Sequence, residues 1–187
     1  ELSEKMRSLV LMRSVTRISH ASSVVTMGEI QHLNRKAKVD LTQRYSPFPV
    51  PKKNPREFTT FPAILTHAVA KQKLAAIEKI FEASPFNWYE GPESPRLTII
   101  CSGTGYLNAL DAVDTLGVKD SIGIIKLGTT WPLPIKFIEK HIRPGSEVLV
   151  LEEVDPFMET LLKERLYGRY KKPPIVYGKN TGHLNKV

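Results

Sequence analysis

Five short stretches of this sequence carry residue types able to do chemistry. Arg17-Ile18-Ser19-His20 sets a cation, a hydroxyl and an imidazole within four residues. Ser102-Gly103-Thr104-Gly105 precedes an apolar-periodic run, so its backbone N–H groups at a helix start can hold a phosphate or carboxylate. Gly128-Thr129-Thr130-Trp131 is a turn closed by Pro132 and Pro134. Glu152-Glu153 pairs two carboxylates just ahead of Asp155-Pro156, a helix start with proline at its first position. Gly178-Lys179 adds a third glycine turn and a cation.

Each has a plainer reading beside the chemical one. SGTGYLN is GxGxxN, not the dinucleotide pattern GxGxxG, and the acidic residue expected after the next strand is replaced by Lys126-Leu127-Gly128. A glycine turn for tight strand–helix packing is the preferred reading. Glu152 and Glu153 suit the positive end of a helix, or hydrogen-bond a partner domain. His20, His32, His67, His141 and His183 are scattered singly, with no metal-ligand cluster and no nucleophile–base motif. Cys101 is the only cysteine, which excludes an internal disulfide and any multi-cysteine zinc or iron–sulfur site built by this chain alone. It points to a reducing compartment.

The elements that must position these residues follow from periodicity. Ser8 to Ile18 is β-rich and reads as a strand. Residues 31 to 57 are irregular, because Pro47, Pro49, Pro51 and Pro55 forbid helix interior and central strand. Thr59 or Thr60 can cap a helix to about Ala83, with a stripe of Ile64, Leu65, Ala68, Leu74, Ile77 and Phe81. Apolar strands then fall at Leu97–Cys101, Ile122–Leu127, Glu147–Leu151 and Ile175–Tyr177. Helices to Leu116, from Pro134 to His141, and from Asp155-Pro156 to about Leu166 separate them. This alternation predicts an α/β fold, a three-layer open parallel-rich sheet with helices on both faces. In such a sheet the strand-to-helix turns gather at the carboxyl edge, where ligands bind.

Composition narrows the function classes. The 187 residues suit one domain, or one domain plus part of another, and the chain starts at Glu1 without an initiator Met, as an excised piece would. No apolar stretch approaches a membrane span and no signal peptide is visible. Of the net charge of +8, +6 lies in residues 31 to 56, where Arg35, Lys36, Lys38, Arg44, Lys52, Lys53 and Arg56 face Asp40 alone. Such concentration in one linker argues against nucleic acid. It reads as a solvated stretch or a docking patch.

Three stretches in order, GIIKLGTTWPLP, EVLVLEEVDPFMETLLKE and VYGKNTGHL, resemble the alpha subunit of the indolepyruvate ferredoxin oxidoreductases. More broadly they look like the transketolase-C-terminal-like middle domain of 2-oxoacid:ferredoxin oxidoreductases. TICSGTGYLNALDAVDTLGV fits the preceding unit of that domain, and SVTRISHASS resembles the end of a thiamine-pyrophosphate pyrimidine domain. The resemblance implies residues 1–30 as the end of that pyrimidine-type domain, 31–58 as a basic linker and 59–187 as the middle domain.

It also implies a cytoplasmic enzyme that oxidatively decarboxylates arylpyruvates to acyl-coenzyme A. Thiamine pyrophosphate, Mg2+ and [4Fe-4S] clusters serve the full-length enzyme, whose partners are a beta subunit and ferredoxin. The carboxylate that activates the thiamine ring, the pyrophosphate motif and the cluster cysteines have no counterpart here, so no cofactor is expected in this piece. Its expected part is architectural. Ser102, Gly103, Gly105, Thr129, Trp131, Glu152 and Glu153 stand at the carboxyl edge or an interface, where they help form a substrate or coenzyme A approach. Trp131 is expected against a neighbouring domain. Arg17, Ser19 and His20 are the candidates for the 2-oxoacid side. Two other classes stand beside this: an interaction domain whose basic linker docks an acidic partner such as ferredoxin, and a nucleotide-binding domain that holds NAD or coenzyme A through SGTGYLN.

Overall fold

The computed structural model describes residues 2–6, 8–29 and 63–185. The chain divides into two compact units, Glu1–Lys73 and Leu74–Val187. The basic segment and the proposed caps Thr59 and Thr60 lie outside the described residues.

In the first unit, helix α1 spans Leu2–Met6 and a single helical turn, α2, spans Thr16–Ser19. The expected strand from Ser8 to Ile18 does not form: residues 8–15 have no regular structure. A β-rich run becomes a strand only where a neighbour satisfies its N–H and C=O groups, and none of the described strands pairs with it. Helix α3, Ala63–Glu82, continues into the second unit. Among its described side chains the buried ones are Val69, Lys73 and Ile77, spaced by four. Of the expected stripe Ile77 is buried and Phe81 half-buried, whereas Ile64, Ala68 and Leu74 are exposed, so the buried face is turned from the expected one and shares Ile77 with it.

The second unit is built on a five-stranded sheet of order β1-β3-β2-β4-β5. Its strands are β1 Trp88–Glu90, β2 Leu97–Ser102, β3 Ile122–Leu127, β4 Glu147–Leu151 and β5 Ile175–Tyr177. The last four are mutually parallel, as their apolar runs predict, and β1 adds an antiparallel edge against β3. That edge strand is three residues long between turn-forming neighbours, too short to show a period.

Register divides the core into two. Ile100, Ile125 and Val150 align across the sheet and point to one face. There they meet Ile135 and Ile138 of α5 (Ile135–Glu139) and Met158, Leu162 and Leu166 of α6 (Phe157–Leu166). Ile99, Cys101 and Ile124 point the other way, onto Ala109 and Val113 of α4 (Thr104–Thr115). Strands buried on both faces need apolar residues at every position, which is why they read as unbroken runs.

Candidate functional site

The path of the chain places the switch point of the sheet between β2 and β4. From β2 the chain leaves through α4 on one face; from β4 it leaves through α6 on the other. The crevice outside the carboxyl ends of these two strands is where open α/β sheets hold ligands. Ser102, Gly103 and Thr104 line one side, and Glu152 and Glu153 the other.

Here the crevice is bridged. The Thr104 hydroxyl donates to Glu153 Oε1, tying the β2 turn to the β4 turn. Gly103 takes φ +53, a conformation glycine adopts without strain, and no side chain caps α4. Gly105 is buried so close that a Cβ would stand 3.3 Å from the Leu151 carbonyl oxygen. The glycines thus let α4 start hard against the neighbouring strand, and the nearest anion to that helix start belongs to the protein itself.

The other two helices start on prolines, Pro134 and Pro156, which carry no polar side-chain atom to cap the free N–H groups. Carboxylates from elsewhere supply the acceptors. Glu152 takes hydrogen bonds from the N–H groups of Met158 and Glu159 at 2.6 and 3.0 Å. Glu82 takes those of Lys136 and Phe137 at 2.9 and 2.5 Å. Negative charge at these helix ends also complements the macrodipole.

The β3 turn is held by a residue outside every motif. Asn87 Oδ1 accepts the N–H groups of Gly128 and Thr129 at 2.9 and 3.1 Å. Its Nδ2 donates to Thr129 Oγ1 and to the Phe81 carbonyl at 2.7 and 2.9 Å. Trp131, which precedes a cis peptide to Pro132, is exposed and meets Phe157 edge-on at 6.3 Å between centroids.

Two buried charges secure the β5 turn. Lys179 Nζ donates to the Val154 carbonyl at 2.8 Å. Val154 itself sits at φ +62, a strain of about 1–3 kcal/mol for a residue other than glycine. Glu159 is fully buried, pairs with Lys163 at 2.5 Å and accepts the Asn180 N–H at 2.9 Å. Burial pushes its carboxyl up, but the bonds from Lys163 and from the Asn180 and Lys179 N–H groups outweigh that and leave it lowered. Segment 152–157 is therefore the junction of the edge: Glu153 reaches the β2 turn, Phe157 the β3 turn and Val154 the β5 turn.

A sequence profile described as the indolepyruvate oxidoreductase domain matches residues 87–187, which takes in the whole of this edge. This chain belongs to the indolepyruvate oxidoreductase family. Curated relatives are each described as indolepyruvate oxidoreductase subunit IorA. The protein of Pyrococcus abyssi is 36% identical over 166 residues, covering 87% of this chain and 24% of its own length. That of Thermococcus kodakarensis is 34% identical over 182 residues, 96% of this chain and 27% of its own. The chain thus spans about a quarter of the length of the curated relatives it matches. A solved 2-oxoglutarate:ferredoxin oxidoreductase from Magnetococcus marinus is also similar, at TM-score 0.43 and 20% identity, covering 74% of this chain and 26% of that one.

The groups this family implies do not fit the indolepyruvate oxidoreductase segment described here. Among the described residues no three His, Cys, Asp or Glu side chains come together for a metal. Cys101, the only thiol, is buried, and burial pushes its pKa up to about 12 against the opposing charge of Lys126, the reverse of what a thiolate ligand needs. A diphosphate at the α4 start would meet the like charge of Glu153. Of the other candidates, Ser19 shares a hydrogen bond of 2.8 Å with Ser14 and His20 is exposed beside it, both in the first unit with Arg17 on α2.

Sequence reasoning singled out Ser102, Gly103, Gly105, Thr129, Trp131, Glu152 and Glu153, and the structure gathers them at one edge. It missed Asn87, Glu82, Val154 and Glu159. A carboxylate four residues ahead of the helix-starting Pro156 was the available signal for Glu152; Asn87 and Glu82 act across 40 residues or more and left none.

Proposed function

We propose that the protein containing this segment is a thiamine-pyrophosphate-dependent 2-oxoacid:ferredoxin oxidoreductase acting on arylpyruvates. Carbon dioxide leaves the 2-oxoacid, coenzyme A takes the acyl group, and two electrons pass to oxidised ferredoxin. Thiamine pyrophosphate, Mg2+ and the [4Fe-4S] clusters reside in other parts of the enzyme and its beta subunit, in the cytoplasm. The match of residues 87–187 to the indolepyruvate oxidoreductase domain carries this reading.

The contribution of this segment is architectural. Its carboxyl-edge turns are cross-tied by Thr104–Glu153, Lys179–Val154 and Asn87–Thr129, which favours a rigid brace over an open ligand crevice. Arg17, Ser19 and His20 are proposed to stand on the 2-oxoacid side. The full-length protein, expressed anaerobically with its beta subunit, should reduce ferredoxin when given indolepyruvate and coenzyme A, faster than with pyruvate or 2-oxoglutarate. A cluster-loaded preparation inert towards all three acids would overturn the assignment.

A further inference from the structure

The run Leu9-Val10-Leu11-Met12 in the first unit stands open to solvent on every side. Leu9, Leu11 and Met12 are 91%, 90% and 87% exposed, and Val10 is 49% exposed. Val24, Val25 and Met27 are exposed as well, and no described apolar side chain between residues 8 and 29 is buried. Single exposed apolar residues are ordinary; four in succession make a contact surface. The backbone is open in the same place. Among the described residues no hydrogen bond involves the N–H or C=O groups of residues 9–12, which lie between the Ser8–Ser3 and Ser19–Val15 bonds.

Covering these side chains means pairing those backbone groups at the same time, because a buried N–H or C=O without a partner is costly. Helix would pair them internally, yet α1 ends at Met6 and α2 begins at Thr16, and neither extends into the run. A strand pairs them only against a neighbour. In a strand Leu9 and Leu11 take one face and Val10 and Met12 the other, so both faces are apolar. Strand β3 has that character, and it is covered on both sides by Ile125 and Leu127 in one core and Ile124 in the other. Curated relatives align through this run, one of them over 100% of this chain, and carry about three quarters of their length outside it. A neighbouring strand within one polypeptide is therefore at hand.

We propose that residues 9–12 form a strand, buried on both faces, in a sheet built by another part of the same longer polypeptide. Its partner is an unpaired strand edge lying between two apolar layers. Hydrogen–deuterium exchange of the intact full-length subunit tests this, read by mass spectrometry on peptides spanning residues 8–15. The amides of residues 9–12 should exchange at least about 100-fold more slowly than an unstructured peptide of the same sequence. Val10→Asp and Leu11→Asp set a carboxylate on opposite faces, and each should return those amides to within about tenfold of the unstructured rate. Peptides from β2 should stay protected in both variants, which separates local release from global unfolding. In a density map of the subunit the run should lie about 4.8 Å from a second strand.

Wild-type exchange at the unstructured rate would overturn the burial, and a helix at residues 9–12 in the map would overturn the strand. Release by only one of the two aspartates would overturn the two-faced cover. If both variants unfold globally, the wild-type exchange and the map decide the pairing by themselves. Protection that appears only when the beta subunit is added, or only where the subunit pairs with a second copy, would overturn the intramolecular source. Ferredoxin reduction is measured on the same preparations, so an unprotected run with activity intact separates this inference from the proposed function.

Discussion

Asn87 and Thr129 are joined twice: the amide Nδ2 donates to the threonine hydroxyl at 2.7 Å, and Oδ1 accepts the threonine N–H at 3.1 Å. With its bonds to Gly128 and Phe81, one buried side chain fixes where β3 turns away from the sheet. Asn87→Ala should leave several of these groups unsatisfied and cost about 1–3 kcal/mol. Urea unfolding of the chain measures this; a midpoint unchanged from wild type would mean water replaces the amide without loss.

Gly128 and Gly103 should respond differently to alanine. At Gly128 an added Cβ would stand 2.6 Å from both the Phe86 Cβ and its carbonyl oxygen, so backbone must move, at about 1–3 kcal/mol. At Gly103 an added Cβ meets nothing within 4 Å, but φ +53 with ψ −132 lies outside the left-handed minimum, a strain of about 1–3 kcal/mol for alanine. Thermal unfolding should place both variants below wild type, Gly128→Ala through a clash and Gly103→Ala through backbone strain. A midpoint unchanged in Gly128→Ala would mean the β3 turn relaxes to admit the Cβ.

These cases mark how much of the molecule its sequence disclosed. Four parallel strands and the three helices between them were legible because burial on both faces forces unbroken apolar runs ended by glycine or proline. The gathering of Gly103, Trp131, Glu152 and Glu153 at one edge followed from that topology alone. What stayed hidden was set by distant partners. Asn87 and Glu82 acquire their roles only after folding brings them to the β3 turn and α5. The β-rich run from Ser8 failed for the same reason in reverse: its local preference was right, but no described strand stands beside it.

Glu159 should make the β5 turn acid-labile. Its folded pKa lies below its ordinary value of 4.5, so its contribution is fully present above that value and is lost as pH falls through the lowered folded one. Glu159→Gln should cost about 1–3 kcal/mol at neutral pH by weakening the bonds to Asn180 and Lys163. It should also flatten the decline in stability below about pH 4.5. Chemical denaturation across pH 3 to 7 shows whether wild type and variant converge in acid; parallel curves would remove Glu159 as the source.

His141 should act at milder pH. Its ring is stacked on Tyr89 at 4.4 Å and meets Phe137 edge-on at 5.1 Å. Burial first, and then the charge of Lys140, lower its pKa from 6.5, so the folded state prefers the neutral imidazole. A depressed histidine binds fewer protons folded than unfolded. Its contribution is therefore whole above about pH 6.5 and declines as pH falls towards the folded pKa. Between pH 7.5 and 5 the wild-type melting temperature should drop more than that of His141→Phe, which keeps an aromatic ring between Tyr89 and Phe137 but cannot titrate. Equal slopes in the two proteins would show that the imidazole is protonated without cost in this stack.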